Sequence, residues 1–199
     1  MFEVLFPLAG TSVDDGATVH ARNVAKLLGA KVHLVRVLES RRTSDRPTDP
    51  VDWMMKKSEA EASLARAAER LSDAGVETTQ VLLEGDPTEH LVNYARQHQS
   101  DLALLVSGPQ RGALGVSGGE LLWRSYLTTL LLRPGATDGV EAPSSYARVL
   151  VALDGSKRAE CVLPWVQMLA ERGGGDAVQI VLAHVVTEPE LPRLTPATD

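Results

Sequence analysis

The stretch "LLEGDPTEHLVNYARQHQSDLALLV", residues 82–106, contains the pattern that decides the fold. An apolar run at 78–83 ends at a Gly-Asp-Pro turn, an amphipathic segment follows, and a second apolar run spans 101–106. Runs this short and this apolar predict buried strands, and the segment between them predicts a helix capped by Asp86. Strands connected through a helix pair in parallel by a right-handed crossover. The stretch therefore predicts an α/β fold.

The same alternation extends in both directions along the chain. Apolar residues from Ala17 to Leu28 follow one helical face, and a longer helix is predicted at about 51–74, with Asp49 as its cap and Pro50 in its first turn. Five strands and four helices complete a doubly wound parallel sheet over residues 1–134. The remaining strands of this sheet are predicted at 3–8, 31–38 and 128–132.

Composition excludes several classes of function. The net charge of −6 argues against a protein that neutralises nucleic-acid phosphates. No window approaches the roughly 20 apolar residues of a membrane-spanning helix, so no membrane partner is expected. The amino terminus lacks a basic leader, and the single cysteine, Cys161, fits a reducing compartment. These features predict a cytoplasmic protein.

Part of the first strand-and-turn unit is repeated after a linker at 135–146. The stretch "ARVLVALDGS", which begins at residue 147, aligns with "FEVLFPLAGT", which begins at residue 2, an offset of 145 (147 − 2). A partial repeat of strand, helix and strand is predicted over 147–186, followed by a loose tail at 187–199. Forty residues (186 − 147 + 1) cannot cover both faces of a parallel strand pair. The covering surface could be the first domain, a second copy of the chain or missing sequence.

Ligands of parallel α/β sheets bind beyond the carboxyl ends of the strands, where the connections diverge. Two loops lie at such positions, "LAGTS" at 8–12 and "SGPQRGALGVSGGE" at 107–120. Glycine-rich backbone approaches phosphate oxygens closely, and the amides at a helix start donate hydrogen bonds to anions. These loops are the candidate nucleotide cleft.

The chain resembles the universal stress protein family, in its tandem-repeat form. The resemblance rests on "PLAGT" and "ALDGS" for the first-strand signature, on "HLVRVLE", on the stretch at 82–106 and on "LLLRPG". It implies the adenine-nucleotide alpha hydrolase-like fold, with five parallel strands in the order 3-2-1-4-5. It also implies a cytoplasmic, frequently dimeric protein, and the strand at Leu127–Leu132 is the candidate dimer edge.

Some members of this family bind ATP through a motif of Gly, two residues, Gly, nine residues, and Gly-Ser or Gly-Thr. Here three residues separate Gly108 from Gly112, and Pro109 removes one amide donor. The acid that family members place after the first strand is Ala9 in this chain, whereas the second repeat has Asp154. If ATP nevertheless binds, the resemblance implies a cleft formed by Leu8, Ala9, Gly108, Arg111, Gly112, Gly115 and Gly118.

The sequence contains no pattern for catalysis. His90 and His98 lie eight residues apart on one predicted helix, a poor metal pair, and the other histidines are scattered. Cys161 falls inside a predicted helix at 156–171 and is expected to pack in its core. The prediction is a non-enzymatic stress-response protein without a cofactor that acts by dimerisation or partner association. The alternative is an ATP-binding member with slow or no hydrolysis.

Overall fold

The computed structural model describes residues 1–10, 13–39, 49–106, 127–132, 146–172 and 178–184, with the side chains of 13–15 left out. The chain divides into two compact units, Met1–Ser144 and Ser145–Asp199, which are called the first and second unit below. Within the described ranges, no helix is both long enough and apolar enough to cross a membrane.

The first unit contains a parallel sheet of five strands in the order β3-β2-β1-β4-β5. The predicted doubly wound sheet and its strand order are therefore confirmed. Because β1 has β2 on one side and β4 on the other, the direction of winding reverses between β1 and β4, where α/β sheets bind ligands. The strands are β1 (Phe2–Pro7), β2 (Ala30–Leu38), β3 (Thr78–Glu84), β4 (Leu102–Val106) and β5 (Thr128–Leu132).

Side-chain caps fix where two helices of the first unit begin. The Asp49 carboxylate accepts a hydrogen bond from the Val51 amide at 2.9 Å, and the Asp86 carboxylate accepts one from the Glu89 amide at 2.8 Å. Both predicted caps are confirmed, each followed by a proline in the first turn. The predicted fourth helix lies outside the described residues. The described helices are α1 (Val13–Leu28), α2 (Pro50–Ser72) and α3 (Pro87–Gln97).

The central strand β1 is buried on both faces, as a parallel sheet covered by helices requires. Val4, Leu5 and Phe6 each have no exposed surface. Leu5 belongs to the core cluster on the α3 side of the sheet, together with Leu91, Ala95 and Ala103. The carboxyl end of β1 is thereby held rigidly at the predicted cleft.

The second unit begins with the same order of elements as the first. A parallel pair is formed by β6 (Arg148–Leu153) and β7 (Gln179–His184). Between these strands lie two helices, α4 (Lys157–Glu160) and α5 (Leu163–Arg172). Of the predicted linker, residues 135–145 lie outside the described residues, and so does the whole predicted tail at 187–199.

The single helix predicted at 156–171 is wrong, and so is the buried position predicted for Cys161. The helical segment breaks between Glu160 and Leu163, and Cys161 is exposed at the break. Pro164 explains the break, because it lacks the amide that would donate to the carbonyl four residues earlier. The Cys161 thiol lies 3.3 Å from the Lys157 carbonyl oxygen, to which it donates.

Candidate functional site

The turn after β1 is the described part of the predicted cleft. Leu8 is 1% exposed, and its amide donates to the Val35 carbonyl of β2 at 2.9 Å. Its side chain is therefore part of the core and is not presented to a ligand. Ala9 is half-buried at the position where the family resemblance places an acid. The turn consequently presents a methyl group in place of a carboxylate.

The positively charged side chain of Arg36 lies against this turn. Gly10 has φ +80°, and a Cβ added there would overlap the guanidinium of Arg36. Arg36 reaches the turn from β2, and its Nη1 donates to the Ser63 hydroxyl of α2 at 2.6 Å. The Ser63 hydroxyl in turn donates to the Ala60 carbonyl at 2.9 Å. A positively charged guanidinium therefore lies beside the turn, at which the family resemblance implies a negatively charged side chain.

The other half of the predicted cleft lies outside the described residues. This holds for all five residues predicted in the glycine-rich loop, so their assignment stays a prediction. Of the seven predicted cleft residues, the structure describes only Leu8 and Ala9. The loop residues concerned are Gly108, Arg111, Gly112, Gly115 and Gly118.

The second unit has the corresponding turn, with its acid. Gly155 has φ +79°, close to the value at Gly10. The Asp154 carboxylate accepts from the Ser156 amide at 2.9 Å, and the Ser156 hydroxyl caps α4 by accepting from the Ala159 amide at 3.1 Å. Ser156, through its hydroxyl first and then its amide, holds the pKa of the Asp154 carboxyl below its ordinary value, and nearby His184 adds to this shift. Asp154 is exposed and charged at neutral pH.

A chain of polar side chains, buried except at Glu3, joins β1, β2 and α3 on the α3 side of the first unit. Nε2 of His33 lies 2.5 Å from a carboxylate oxygen of Glu3, and Nδ1 of His33 lies 2.8 Å from the Tyr94 hydroxyl. A carboxylate only accepts, so Nε2 carries the proton and donates to Glu3. When this is the only proton on the ring, Nδ1 accepts a hydrogen bond from the Tyr94 hydroxyl. These three residues are called the polar chain below.

His98 and Asp101 border the polar chain. The His98 ring stacks on Tyr94 with centroids 4.1 Å apart, and its centroid lies 5.2 Å from that of His33. The Asp101 carboxylate accepts from the Glu3 amide at 2.8 Å, and the Asp101 amide donates to the Glu3 carbonyl at the same distance. His33, one of the histidines that lie scattered along the sequence, is thus part of this chain of hydrogen bonds. The sequence signal for a hydrogen-bonded His33 is its position within the apolar run "KVHLVRVL", where a polar side chain needs a partner.

The polar chain gives a pH-dependent prediction. Burial, with a smaller contribution from the Glu3 carboxylate, raises the pKa of the Tyr94 hydroxyl above its ordinary value of 10.0. The unfolded chain therefore loses this proton first as the pH rises. The stability that Tyr94 contributes is complete below that ordinary value and is lost as the pH rises through the folded pKa. Urea unfolding at about pH 8 and about pH 11 should show a smaller alkaline loss for Tyr94→Phe than for the unmodified chain. An equal loss in both proteins would contradict this prediction.

Metal binding has no structural support in the described residues, where no group of three His, Cys, Asp or Glu side chains could hold an ion.

The strand predicted as a dimer edge lies at one margin of the described sheet. Among the described residues, β5 pairs only with β4. Leu131 is 52% exposed, although it belongs to an apolar strand. A strand of this kind presents unpaired backbone groups and apolar side chains to a second chain.

Comparisons with known proteins give a consistent assignment. The sequence profile described as "Universal stress protein family" matches residues 1–123. A universal stress protein from Archaeoglobus fulgidus DSM 4304 is 19% identical to this chain and superposes with a TM-score of 0.74. The match covers 96% of this chain and 68% of that protein. No curated protein matches the chain.

Two further solved structures are complexes with nucleotides. A universal stress protein in complex with cAMP is 20% identical to this chain and has a TM-score of 0.51. The match covers 66% of this chain and 96% of that protein. A universal stress protein from Archaeoglobus fulgidus in complex with dAMP is 17% identical to this chain and has a TM-score of 0.50. The match covers 66% of this chain and 97% of that protein. At these identities the likeness concerns the fold alone.

Proposed function

The chain belongs to the universal stress protein family, and from that membership we propose that it is a non-enzymatic stress-response protein acting by association, with a degenerate nucleotide cleft. The observation that carries the proposal is the turn after β1. Ala9 stands where the acid is expected, and the Arg36 guanidinium lies against Gly10. A cytoplasmic location is part of the proposal and is supported by the single cysteine.

With alanine at position 9 in place of the acid, the turn has no carboxylate that could select ligands with a hydrogen-bond donor. A buried or half-buried carboxylate can accept hydrogen bonds from an amino group, whereas a methyl group cannot. Ser63 holds Arg36 beside the turn, so a new carboxylate at position 9 would face a positive charge. Among the described residues, the turn after β1 therefore lacks the side-chain acceptor that the family resemblance places there.

Calorimetric titration with magnesium-ATP tests this proposal. We expect no saturable heat for the unmodified chain and measurable binding for Ala9→Asp. Binding should become tighter in Ala9→Asp combined with Arg36→Met, because Arg36 no longer neutralises the new acid. Ala62→Asp is the matched control, since it adds the same charge at an exposed position of α2. Tight binding by the unmodified chain would overturn the proposal.

The alternative is an ATP-binding protein with slow hydrolysis, and the cAMP and dAMP complexes of similar structures favour it. Its cleft would combine Leu8 and Ala9 with the glycine-rich loop. At a ligand concentration roughly 100 times the dissociation constant, binding should stabilise the fold by about 2.7 kcal/mol. A melting experiment with magnesium-ATP would detect that increase, and its absence would leave the association proposal.

Association through β5 is the second part of the proposal. A charge in place of exposed Leu131 should weaken a dimer built on this edge, because a lysine there must be desolvated on pairing. We expect sedimentation to show a dimer for the unmodified chain and mostly monomer for Leu131→Lys. Met54→Lys is the control, since Met54 is 65% exposed on α2. A monomer at working concentration without any substitution would contradict this prediction.

A further inference from the structure

The Tyr94 hydroxyl has a proton acceptor at hydrogen-bond distance. Its oxygen lies 2.8 Å from Nδ1 of His33, and it donates to that nitrogen when Nε2 carries the only ring proton. The Tyr146 hydroxyl, in the second unit, is also buried, but among the described residues it has no hydrogen-bond partner. The chain therefore offers a comparison between two tyrosines, of which Tyr94 has a base in contact and Tyr146 does not.

The His33 ring connects the Tyr94 hydroxyl with a carboxylate that solvent reaches. Nε2 donates to Glu3 at 2.5 Å, and 29% of the Glu3 side chain is exposed, whereas His33 is 5% exposed. A histidine can take up a proton at one ring nitrogen while it releases another from the opposite nitrogen. His33 and Glu3 thus form a route by which a proton can leave the buried Tyr94 hydroxyl.

The Tyr94 ring is held in a fixed and shielded position. It is 8% exposed and packs in the core cluster with Leu91 and Ala95. The His98 ring stacks on it with centroids 4.1 Å apart. A radical on the Tyr94 ring would therefore be kept from coupling with a radical on another molecule.

Oxidation of a buried tyrosine depends on where its proton goes. A neutral phenol that loses one electron becomes a very strong acid, so its hydroxyl proton must leave together with the electron. Burial, with a smaller contribution from Glu3, raises the pKa of Tyr94, and so the phenolate is not the form that reacts at neutral pH. Proton transfer to a positioned base within hydrogen-bond reach lowers such a barrier. His33 is placed to be that base.

We propose that Tyr94 is a one-electron redox site whose proton is accepted by His33. The oxidant is a radical of the peroxyl class, which takes one electron from Tyr94 and a proton from solvent and leaves as a hydroperoxide. The O–H bond of Tyr94 breaks and an N–H bond forms at Nδ1 of His33, while Nε2 releases its proton to the Glu3 carboxylate. Tyr94 is left as a neutral phenoxyl radical, His33 stays neutral, and Glu3 returns the proton to water.

The redox site is separate from the candidate nucleotide cleft. Glu3 lies near the amino end of β1, whereas the turn that borders the cleft follows the carboxyl end of this strand. The Asp101 carboxylate holds the Glu3 backbone in place by accepting from its amide at 2.8 Å. The proposal therefore stands whether or not the cleft binds a nucleotide.

Flash photolysis of the full chain tests the proposal, with tris(bipyridine)ruthenium(III) as the one-electron oxidant. We expect a tyrosyl radical in electron paramagnetic resonance that Tyr94→Phe removes and that Tyr146→Phe, the matched control, leaves in place. Tyr94 oxidation should be slower in heavy water than in ordinary water, because a proton moves in the same step. His33→Gln keeps a hydrogen-bond acceptor but not a base, so it should slow Tyr94 oxidation by about a hundredfold or more.

Glu3→Gln is the second variant, because it changes a partly exposed residue and is expected to keep the fold. It removes the carboxylate that takes the second proton, so oxidation of Tyr94 should again be slower. A structural role alone would change the melting temperature of these variants, but it would produce neither the slower oxidation nor the effect of heavy water. The absence of a tyrosyl radical, a radical yield that Tyr94→Phe leaves unchanged, or an unchanged oxidation rate in both His33→Gln and Glu3→Gln would overturn the proposal.

Discussion

Replacing Leu5 with alanine is expected to lower the free energy of unfolding by about 2–5 kcal/mol. Leu5 has no exposed surface and lies in the core between the sheet and α3. Its truncation would remove favourable apolar burial and leave a cavity that strands on both sides keep from closing. Urea unfolding followed by far-ultraviolet circular dichroism provides the measurement, with the unfolding of the second unit fitted separately.

Leu150→Ala is the matched control for Leu5→Ala. It changes the corresponding residue of the second unit, but Leu150 is 68% exposed, so the expected change is within about 0.5 kcal/mol. Equal effects at Leu5 and Leu150 would mean that Leu150 is covered in solution.

Replacing His33 with leucine is expected to cost about 1–3 kcal/mol, although leucine suits the apolar surroundings. The ring of His33 satisfies both the Glu3 carboxylate and the Tyr94 hydroxyl. Without it, the buried Tyr94 hydroxyl loses its acceptor, while Glu3 is partly exposed and can turn to water. The loss should therefore come mainly from Tyr94.

A double-mutant cycle separates this effect from simple packing. Tyr94→Phe removes the orphaned hydroxyl, so the double variant His33→Leu with Tyr94→Phe should be more stable than the sum of the single losses predicts, by about 0.5–3 kcal/mol. Both substitutions remove polar groups while keeping side chains of similar size. Strict additivity would show that the hydrogen bond between the two residues contributes nothing, and the polar chain would then be only a packing feature.

The elements of the fold were predictable because their signals are local. The strand predicted at 31–38 is Ala30–Leu38 in the structure, since an apolar run between turns reads directly as a buried strand. Asp49 and Asp86 each act on amides two or three residues away, so the sequence alone places these caps. The apolar periodicity of 156–171 predicts an unbroken helix, whereas Pro164 ends the preceding helical turn near Cys161.

The candidate site was predictable only in part, because its contacts depend on register. Glu3 and His33 meet across 30 residues, and His33 and Tyr94 across 61. Their contact follows from strand pairing and from the placement of α3, which no local pattern contains. Arg36 was missed for the same reason: a charged residue in an apolar strand indicates a partner, but the sequence does not say which turn it contacts.

The central claim is that the turn after β1 no longer recognises a nucleotide. The most direct test is a two-dimensional ¹⁵N NMR titration of the full chain with magnesium-ATP at millimolar concentration, following the amides of Ala9 and Gly10. The account predicts that neither resonance shifts in a saturable way, while the same titration of Ala9→Asp shifts both. Saturable shifts of these two amides in the unmodified chain would contradict it.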